Sequence, residues 1–321
     1  MSPGSTVSPR RPLKPVVMTN PSPPAPVRLE GVVKEYRDFT LGPINLELEP
    51  GYITALIGRN GAGKTTLLRL IMGMARPTRG RITVFGLSYA DNHHRILSRI
   101  GFVPEEPFLY DEMDVAWIGR FVSRLYPGWD QDEFRRLLAH FDVPARKQIK
   151  ELSKGSRVKA ELALALAHHP DLLILDEPTS GLDPIVRREV LEELQAVIAR
   201  SDRATVLFST HITEDVERIA DRVAFLVEGR LALLATQDEL REKWMELWLD
   251  ENARPLHELT ALPEVFAAEP AGAGTIRVIT RDAPATLKIC HTSAIRKRPL
   301  AFDEILGLLS AGKNSQRKEM W

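Results

Sequence analysis

Apolar residues follow two patterns along the chain after residue 26. Short segments rich in apolar residues, which are typical of strands, occur at 27–29, 44–48, 53–57, 172–175 and 205–208. Apolar residues spaced three or four positions apart, which are typical of helices, occur at 67–72, 185–198 and 214–220. This alternation of strands with helices predicts an α/β fold whose central strands are buried and parallel.

Three regions have a different character. Residues 1–26 contain eight prolines and few bulky apolar side chains, so we expect a disordered tail. Residues 110–165 are predicted to form a helical subdomain inside a main domain that spans 27–235. Residues 236–321 are predicted to form a small C-terminal α+β extension, with strands at 275–280 and 286–290 and a short helix at 302–309.

A glycine-rich loop follows the predicted strand 53–57 and precedes the predicted helix 67–72. Its sequence fits the phosphate-binding pattern G-x-x-x-x-G-K-[ST], and a chance glycine-rich turn is the alternative. Glycines let successive N–H groups turn around phosphate oxygens at the positive end of a helix. A lysine there can contact the β- and γ-phosphates, and a threonine can ligate Mg²⁺. The pattern predicts a nucleotide site formed by Gly58, Arg59, Asn60, Gly61, Ala62, Gly63, Lys64, Thr65 and Thr66.

Polar side chains end the two buried strands that follow the helical region. Asp176 and Glu177 come after the run 172–175, and His211 comes shortly after the run 205–208. Because ligands bind at the carboxyl ends of strands in open α/β sheets, these side chains are candidates for the nucleotide site. Taken singly, the two acids could also cap a helix, and His211 could bond a backbone carbonyl.

Five motifs occur in the order and spacing of the ATP-binding cassette family, and the chain resembles that family over roughly residues 28–235. The resemblance implies a P-loop NTPase with a RecA-like core, an antiparallel β subdomain and a helical signature subdomain, and it implies ATP and Mg²⁺ as cofactors. Residues 58–66 resemble the Walker A loop, 175–178 the Walker B motif, 152–156 the signature, 180–183 the D-loop, His211 the switch histidine, and Tyr36 the adenine-stacking aromatic.

The resemblance assigns catalytic roles to Lys64, Glu177 and His211. Asp176 is expected to hold Mg²⁺ directly or through water, together with Thr65. Glu177 is expected to position or deprotonate the attacking water, a role that contributes about 10²–10⁴ in rate. His211 is expected to reach the γ-phosphate.

The signature implies a second subunit. In this family the helix that begins at Ser153 faces the nucleotide held by another cassette, so Ser153, Gly155 and the D-loop residue Asp183 are expected to complete its site. The resemblance therefore implies a homodimer or heterodimer of cassettes that ATP holds together. Taken alone, Ser153 would be an ordinary helix N-cap.

The chain departs from the family pattern in two motifs. Lys154 and Ser156 replace the usual Gly and Gln of the signature, while the retained Ser153 and Gly155 keep the phosphate donors. Glu105 occupies the position where a glutamine is expected. A carboxylate can ligate Mg²⁺, but when it is ionised it repels phosphate and donates no hydrogen bond to water.

Residues 104–107, residues 126–130 and Lys154 also resemble a bacterial subgroup of cassettes that are encoded apart from their membrane subunits and serve ABC-2 exporters. In that subgroup the helical subdomain receives a helix of the permease. The candidate contacts are aromatic or apolar, and each could equally belong to the subdomain's own core: Phe108, Leu109, Tyr110, Tyr126 and Trp129.

Composition narrows the function further. Basic and acidic residues number 43 each, so no basic field predicts a nucleic-acid partner. The single cysteine, Cys290, suits a reducing compartment, and no apolar run reaches the roughly 18 residues of a membrane span. We expect a cytoplasmic ATPase, peripheral on the cytoplasmic face of the cell membrane, that drives export through a separate permease.

Two other classes of protein fit the sequence less well than an exporter ATPase does. A soluble cassette acting on ribosomes or nucleic acid usually carries two Walker A loops or a long coiled coil before the signature, whereas this chain has one loop and about 90 intervening residues. The class of P-loop kinases does not account for the motif at 152–156 or for His211 after the buried strand.

Overall fold

The computed structural model describes residues 24–106, 109–201 and 203–318, with the side chains of 312–318 left out. Almost all of the predicted tail and the candidate contact Phe108 lie outside these ranges. The strands are β1 Val27–Glu35, β2 Thr40–Leu48, β3 Ile53–Ile57, β4 Arg79–Val84, β5 Ile100–Val103, β6 Leu172–Asp176, β7 Thr205–Thr210, β8 Arg222–Val227, β9 Arg230–Thr236, β10 Met245–Asp250, β11 Val265–Gly272, β12 Thr275–Thr280 and β13 Arg296–Pro299. The helices are α1 Lys64–Ile71, α2 Tyr89–Leu97, α3 Val115–Val122, α4 Gln131–His140, α5 Lys154–Leu166, α6 Pro184–Arg200, α7 Thr213–Ile219, α8 Gln237–Lys243, α9 Leu256–Thr260, α10 Ala283–Ile289 and α11 Phe302–Lys318.

A six-stranded sheet in the order β5-β6-β7-β3-β8-β9 forms the centre of the molecule. Its first five strands are parallel, and only the edge strand β9 is antiparallel. Every residue of β3, β6 and β7 is buried, which explains why the sequence shows continuous apolar runs there. Because β3, β6 and β7 are parallel neighbours, their carboxyl ends lie at one edge and bring distant segments together. The predicted parallel α/β core is confirmed.

Two smaller units flank this sheet. An antiparallel sheet in the order β2-β1-β4 packs its buried face against α1, and its β1–β2 turn carries Tyr36. On the other side, α3, α4 and α5 form the helical unit. There, Gly119 of α3 lies so close to Phe134 of α4 that a β-carbon would stand 2.3 Å from the ring.

The C-terminal sheet has the order β11-β12-β10-β13, and every neighbouring pair is antiparallel. With α9 after β10 and α10 after β12, it has the ferredoxin-like β-α-β-β-α-β topology. The predicted strand at 286–290 is wrong, because these residues belong to the end of α10 and the turn after it. Alternating apolar residues gave the strand prediction, but Asp282 caps the helix and Pro284 lies in its first turn.

The last helix returns to the main core. Phe302 of α11 is 3% exposed and contacts Phe225 of β8 edge-on, with ring centroids 6.2 Å apart. Its neighbour Ile305 is fully buried in the same cluster. Beside them, the buried Glu246 accepts hydrogen bonds from Arg277 and Arg298, and Arg298 also pairs with Glu304 of α11. The helix predicted at 302–309 is therefore present and longer.

Removing the Phe302 ring is expected to destabilise the protein strongly. Phe302→Ala leaves a cavity between α11 and β8, so we expect a loss of about 3–5 kcal/mol in the free energy of unfolding. Ile295→Ala, at a site 63% exposed, is the matched control and should change stability by less than about 0.5 kcal/mol. Urea unfolding followed by tryptophan fluorescence measures both. Equal effects would contradict the packing of α11 on the core.

Candidate nucleotide-binding site

The loop 58–66 connects the central strand β3 to α1 in the way the sequence pattern requires. Gly63 is the N-cap of α1 with φ of 103°, and no side chain caps this helix end. The first N–H groups of α1 can therefore donate to an anion. A β-carbon on Gly63 would stand 2.8 Å from the Phe39 ring, so glycine is required there by both conformation and space.

Lys64 is buried at the start of α1 and makes two contacts. Its Nζ donates to the carbonyl oxygen of Gly58 at 2.9 Å and lies 3.0 Å from Oε1 of Glu177. The side chains of Lys64 and Glu177 are 7% and 6% exposed. The loop lysine and the acid after β6 thus form a buried ion pair, where the charges are shielded little by water.

The carboxylate of Glu177 also reaches His211. Its Oε2 lies 2.8 Å from Nδ1 of His211, whose side chain is 45% exposed. Glu177 has φ of 50°, an uncommon value for a residue with a side chain. The carboxylate therefore bridges Lys64 and His211, and His211 faces an acid rather than a backbone carbonyl.

Asp176, the last residue of β6, is 2% exposed. Its Oδ1 accepts a hydrogen bond from Ser209 Oγ at 2.6 Å, and the same hydroxyl accepts from Glu177 N at 3.0 Å. Across the described ranges Asp176 forms no ion pair, and its side-chain hydrogen bond is to the neutral hydroxyl of Ser209. Sequence reasoning missed Ser209; the available signal was a polar residue continuing the apolar run of β7.

A second missed residue, Asp215 of α7, joins three segments behind the site. Its carboxylate is 1% exposed and accepts hydrogen bonds from Thr179 Oγ1 and from Arg187 Nε. Arg187 also reaches Glu214. These contacts connect the helix after His211 to the turn after Glu177 and to α6, so they restrain the distance between the two catalytic candidates.

Two aromatic residues lie in the β1–β2 turn beside the loop. Tyr36 is 48% exposed, and Lys34 Nζ lies 5.3 Å from its ring centroid. Phe39, which sequence reasoning did not single out, packs against Gly63. The exposed ring of Tyr36 is free to stack on a base, while Phe39 supports the loop from behind.

The signature and D-loop residues lie together at the starts of α5 and α6. Ser153 caps α5 through its contact with Ser156 N at 3.2 Å, as the sequence predicts, and Asp183 caps α6. Gly155 packs on Val186, where a β-carbon would be 2.9 Å from a methyl group. In the part of the chain that the structure describes, no hydrogen bond or ion pair joins Ser153, Gly155 or Asp183 to the loop 58–66 or to Glu177.

Glu105 lies on the surface after β5. Among the residues described it takes part in no hydrogen bond or ion pair. Nor does any group of three or more His, Cys, Asp or Glu side chains in these ranges form a metal site. The structure thus does not bring Glu105 into contact with Asp176, and Thr65, at the start of α1, is half-buried.

The candidate contacts with a permease differ in whether they face the surface or the interior. Trp129 packs on Phe134 inside the helical unit, and Tyr126 stacks on the buried His168 with ring centroids 3.9 Å apart. Burial lowers the pKa of His168 to about 4, so this stack is neutral. Tyr110 is 61% exposed, and Leu109 is half-buried on the core. Tyr110 thus lies on the surface, whereas Trp129 and Tyr126 make contacts within the fold.

Helix α5 carries a buried acid, Glu161, that sequence reasoning did not single out. It is 5% exposed, and neither carboxylate oxygen has a hydrogen-bond partner within the described residues. Burial raises the pKa of Glu161 to about 8, against a smaller opposing effect of Arg157.

The parallel sheet, the phosphate loop and the acids at the end of β6 define a P-loop nucleoside triphosphatase. The family described as ABC transporter matches residues 41–180. ABC transporter ATP-binding protein YtrB of Bacillus subtilis (strain 168) is 33% identical over 207 residues, which cover 64% of this chain and 70% of YtrB. Bacitracin transport ATP-binding protein BcrA of Bacillus licheniformis is 31% identical over 241 residues, which cover 73% of this chain and 78% of BcrA.

Solved structures agree with these relatives. An ATP-binding subunit of an ABC transporter superposes with a TM-score of 0.62 at 31% identity, covering 67% of this chain and 91% of that one. The chain belongs to the ATP-binding proteins of ABC transporters, and it binds and hydrolyses ATP. The predicted family and fold class are confirmed, whereas the predicted domain boundaries stay predictions. No helix in the described ranges is long and apolar enough to cross a membrane.

Proposed function

We propose that this chain dimerises on MgATP and couples its hydrolysis to export through a separate permease. The observation that carries the proposal is the division of the site residues into two groups that no hydrogen bond or ion pair joins within the described ranges. One group holds Lys64, Glu177 and His211, and the other holds Ser153 and Asp183. The second group is built on helix N-termini that favour anions, so it suits a nucleotide bound by another copy.

The residues present fit a Mg²⁺ ion. Asp176 is a buried carboxylate that accepts a hydrogen bond from the Ser209 hydroxyl, and Thr65 stands at the uncapped start of α1. Mg²⁺ prefers oxygen ligands and is usually held by one or two carboxylates together with phosphates and water, which Asp176, the Thr65 hydroxyl and a bound nucleotide would supply. The ion would supply charge to stabilise the γ-phosphate as the terminal bond breaks.

The chain's own residues would bind the phosphates and the base and would activate the attacking water. The N–H groups of 58–66 and Lys64 would hold the phosphates, and Tyr36 would stack on adenine, which contributes on the order of 1–3 kcal/mol. Glu177 would orient or deprotonate the attacking water once ATP draws Lys64 away from it. His211 would then donate to the γ-phosphate from the carboxyl end of β7. Because His211 already contacts Glu177, both groups can respond to the same phosphate.

The export function and the location are part of this proposal. The relative BcrA is named for bacitracin transport, and the motifs resemble cassettes that serve ABC-2 exporters. We place the chain in the cytoplasm, peripheral on the cytoplasmic face of the membrane, without nucleic acid. We also propose a tail at 1–26, a cassette at 27–235 and an extension at 236–321.

An exposed apolar surface on the helical unit is the proposed permease contact. Trp117 and Phe121 stack with ring centroids 5.6 Å apart, and Tyr110 meets both edge-on. Phe121 is 42% exposed and the nearby Leu125 is 63% exposed. Contiguous exposed aromatic residues of this kind mark interaction sites.

Placing a charge on this surface should abolish permease binding and leave basal ATP hydrolysis intact. We expect Phe121→Glu to reduce co-purification with the permease from membranes by at least about tenfold, because an interface centre does not tolerate an unpaired charge. Met74→Glu, at an exposed site away from this surface, is the control. Quantitative mass spectrometry of the captured membrane partner measures both. Unchanged capture by Phe121→Glu would contradict this contact, and absence of any membrane partner with wild type would contradict the transporter function.

Glu105→Gln is expected to retain or raise ATP hydrolysis. An amide does not repel the γ-phosphate and can donate a hydrogen bond to water, which an ionised carboxylate cannot. The neighbouring exposed Glu106→Gln serves as the control. Steady-state phosphate release over a range of Mg²⁺ concentrations measures the effect. A loss beyond about tenfold, recovered at high Mg²⁺, would instead make Glu105 an essential metal ligand.

A further inference from the structure

A cavity of about 500 Å³ lies where the cassette meets the ferredoxin-like unit. Its walls come from β9, α8, the chain before β11, the turn after β12, and α11. This volume falls within the roughly 300–1,000 Å³ of small-molecule sites, and a junction between structural units is a common place for them. The cavity is separate from the nucleotide site, because none of its lining residues belongs to the loop 58–66 or to the signature.

Part of the cavity surface is apolar. Leu240 of α8 is 1% exposed, Trp244 directly after that helix is 6% exposed, and Leu309 of α11 completes this part of the wall. Trp244 also contacts Phe266, with ring centroids 5.4 Å apart, so this contact restrains its ring. This surface suits a large aliphatic or aromatic group.

A carboxylate with an unused oxygen lies in the same wall. Glu264 Oε1 is buried and has no hydrogen-bond partner within the described residues. The Glu264 backbone is fixed, because its carbonyl oxygen accepts from Arg281 N at 2.9 Å and from Thr280 Oγ1 at 3.1 Å. A buried acceptor without a donor is costly, so a rotation of the Glu264 side chain that brings this oxygen to a ligand with N–H groups would relieve that cost.

Two cations stand on the exposed part of the lining. Lys243 and Arg281 are exposed, and neither forms an ion pair within 4.0 Å in the described ranges. The other acids of the lining are already engaged: Glu239 accepts from Thr236 N, and Asp282 accepts from Ala285 N. The pKa of Glu239 is lowered mainly by the Thr236 N–H and also by the charge of Lys243, so Lys243 already faces an acid and Arg281 is the cation available to a carboxylate.

We propose that this cavity binds a free α-amino acid with a large apolar side chain. The ammonium group donates to Glu264, the carboxylate meets Arg281, and the side chain lies on Trp244, Leu240 and Leu309. A zwitterion matches a lining that offers, within the described ranges, a Glu264 oxygen without a donor and an Arg281 guanidinium without an acidic partner within 4.0 Å, beside an apolar surface. Either a simple anion or a simple amine would leave one of these charges without its partner.

Matched ligands separate the contributions of the ammonium group, the carboxylate and the large apolar side chain. L-Phenylalanine is the full probe; 3-phenylpropionate lacks the ammonium, 2-phenylethylamine lacks the carboxylate, and L-alanine lacks the large side chain. Isothermal titration of the full-length protein without nucleotide should give saturable binding of L-phenylalanine with a Kd below about 10 mM. Each of the other three compounds should bind at least about tenfold more weakly. No binding of L-phenylalanine at that concentration, or equal binding of 3-phenylpropionate, would overturn the proposal.

Two variants test the lining of the cavity, and neither is expected to disturb the fold. Glu264→Gln keeps the shape of the side chain but removes its charge, and it should weaken L-phenylalanine binding by about tenfold or more. Arg281→Ala should do the same, whereas Lys288→Ala, an exposed cation outside the cavity, should have no effect. Melting temperatures without ligand check folding, and the shift produced by L-phenylalanine gives a second measure of binding. Unchanged binding in both Glu264→Gln and Arg281→Ala would place the ligand elsewhere and overturn the assignment.

Discussion

The Glu177→Gln variant is expected to bind ATP and form a stable nucleotide-dependent dimer while its turnover falls by about 10²–10⁴. An amide cannot take a proton from the attacking water, so the chemical step slows. The substitution also removes the ion pair between Glu177 and Lys64, whose atoms lie 3.0 Å apart. In the wild type ATP must compete with this internal carboxylate for Lys64, and in the variant that competition is absent.

Asp176→Asn is the informative comparison for this experiment. It alters the neighbouring acid and removes the expected charge for Mg²⁺, so we expect it to lose both turnover and the ATP-dependent dimer. Light scattering after size-exclusion chromatography in MgATP measures the dimer, and phosphate release measures turnover. Glu177→Gln found only as a monomer in MgATP would contradict the two-subunit site. Turnover within about tenfold of the wild type would contradict the role of Glu177.

The second large effect concerns the buried Glu161 of α5. The pKa of this acid is raised from 4.5 in the unfolded chain to about 8 in the fold, so the folded state binds the proton more tightly. The contribution of Glu161 to stability is therefore unchanged below about pH 4.5, falls as the pH rises from 4.5 to 8, and is lowest above pH 8. At about 1.4 kcal/mol for each unit of pKa difference, the loss across this range is about 3–5 kcal/mol.

Glu161→Gln should remove this pH dependence. We expect the melting temperature of the variant to exceed that of the wild type above pH 8, and the difference to narrow or reverse at pH 5.5. Glu30→Gln, an exposed carboxylate on β1, is the matched control and should follow the wild type at every pH. Differential scanning fluorimetry between pH 5.5 and 9 measures all three proteins. A constant difference across the range would show that Glu161 keeps an ordinary pKa in the fold.

Local sequence predicted the parts of the site that depend on short segments. The strand, loop and helix around Lys64 are contiguous in the chain, and Asp176 ends an apolar run that only a buried strand explains. The prediction that α5 begins after Ser153 is correct for the same reason, because a cap acts on the next three residues. In each case the residues that decide the geometry lie within one turn or one strand of each other.

The parts that were missed depend on pairing between distant segments. Ser209 meets Asp176 because β6 and β7 pair in one register, and Asp215 meets Thr179 because α7 packs behind the turn after β6. Neither register nor packing is visible in a window of a few residues. The same limit explains the error at 286–290, where alternation within five residues outweighed the start signal at Asp282.

The packing of α11 on the main core separates this helix from the rest of the C-terminal part. Leu300 N donates to Trp244 O at 2.9 Å, so the two ends of the ferredoxin-like unit meet. Between these ends lie β10 to β13, and beyond them α11 covers β8. Within the proposed extension at 236–321, β10 to β13 therefore form a unit whose two ends meet, while α11 packs against the cassette. A short loop joining 244 to 300 could replace it, whereas cutting the chain at 235 would strip α11 from the sheet that holds the nucleotide loop.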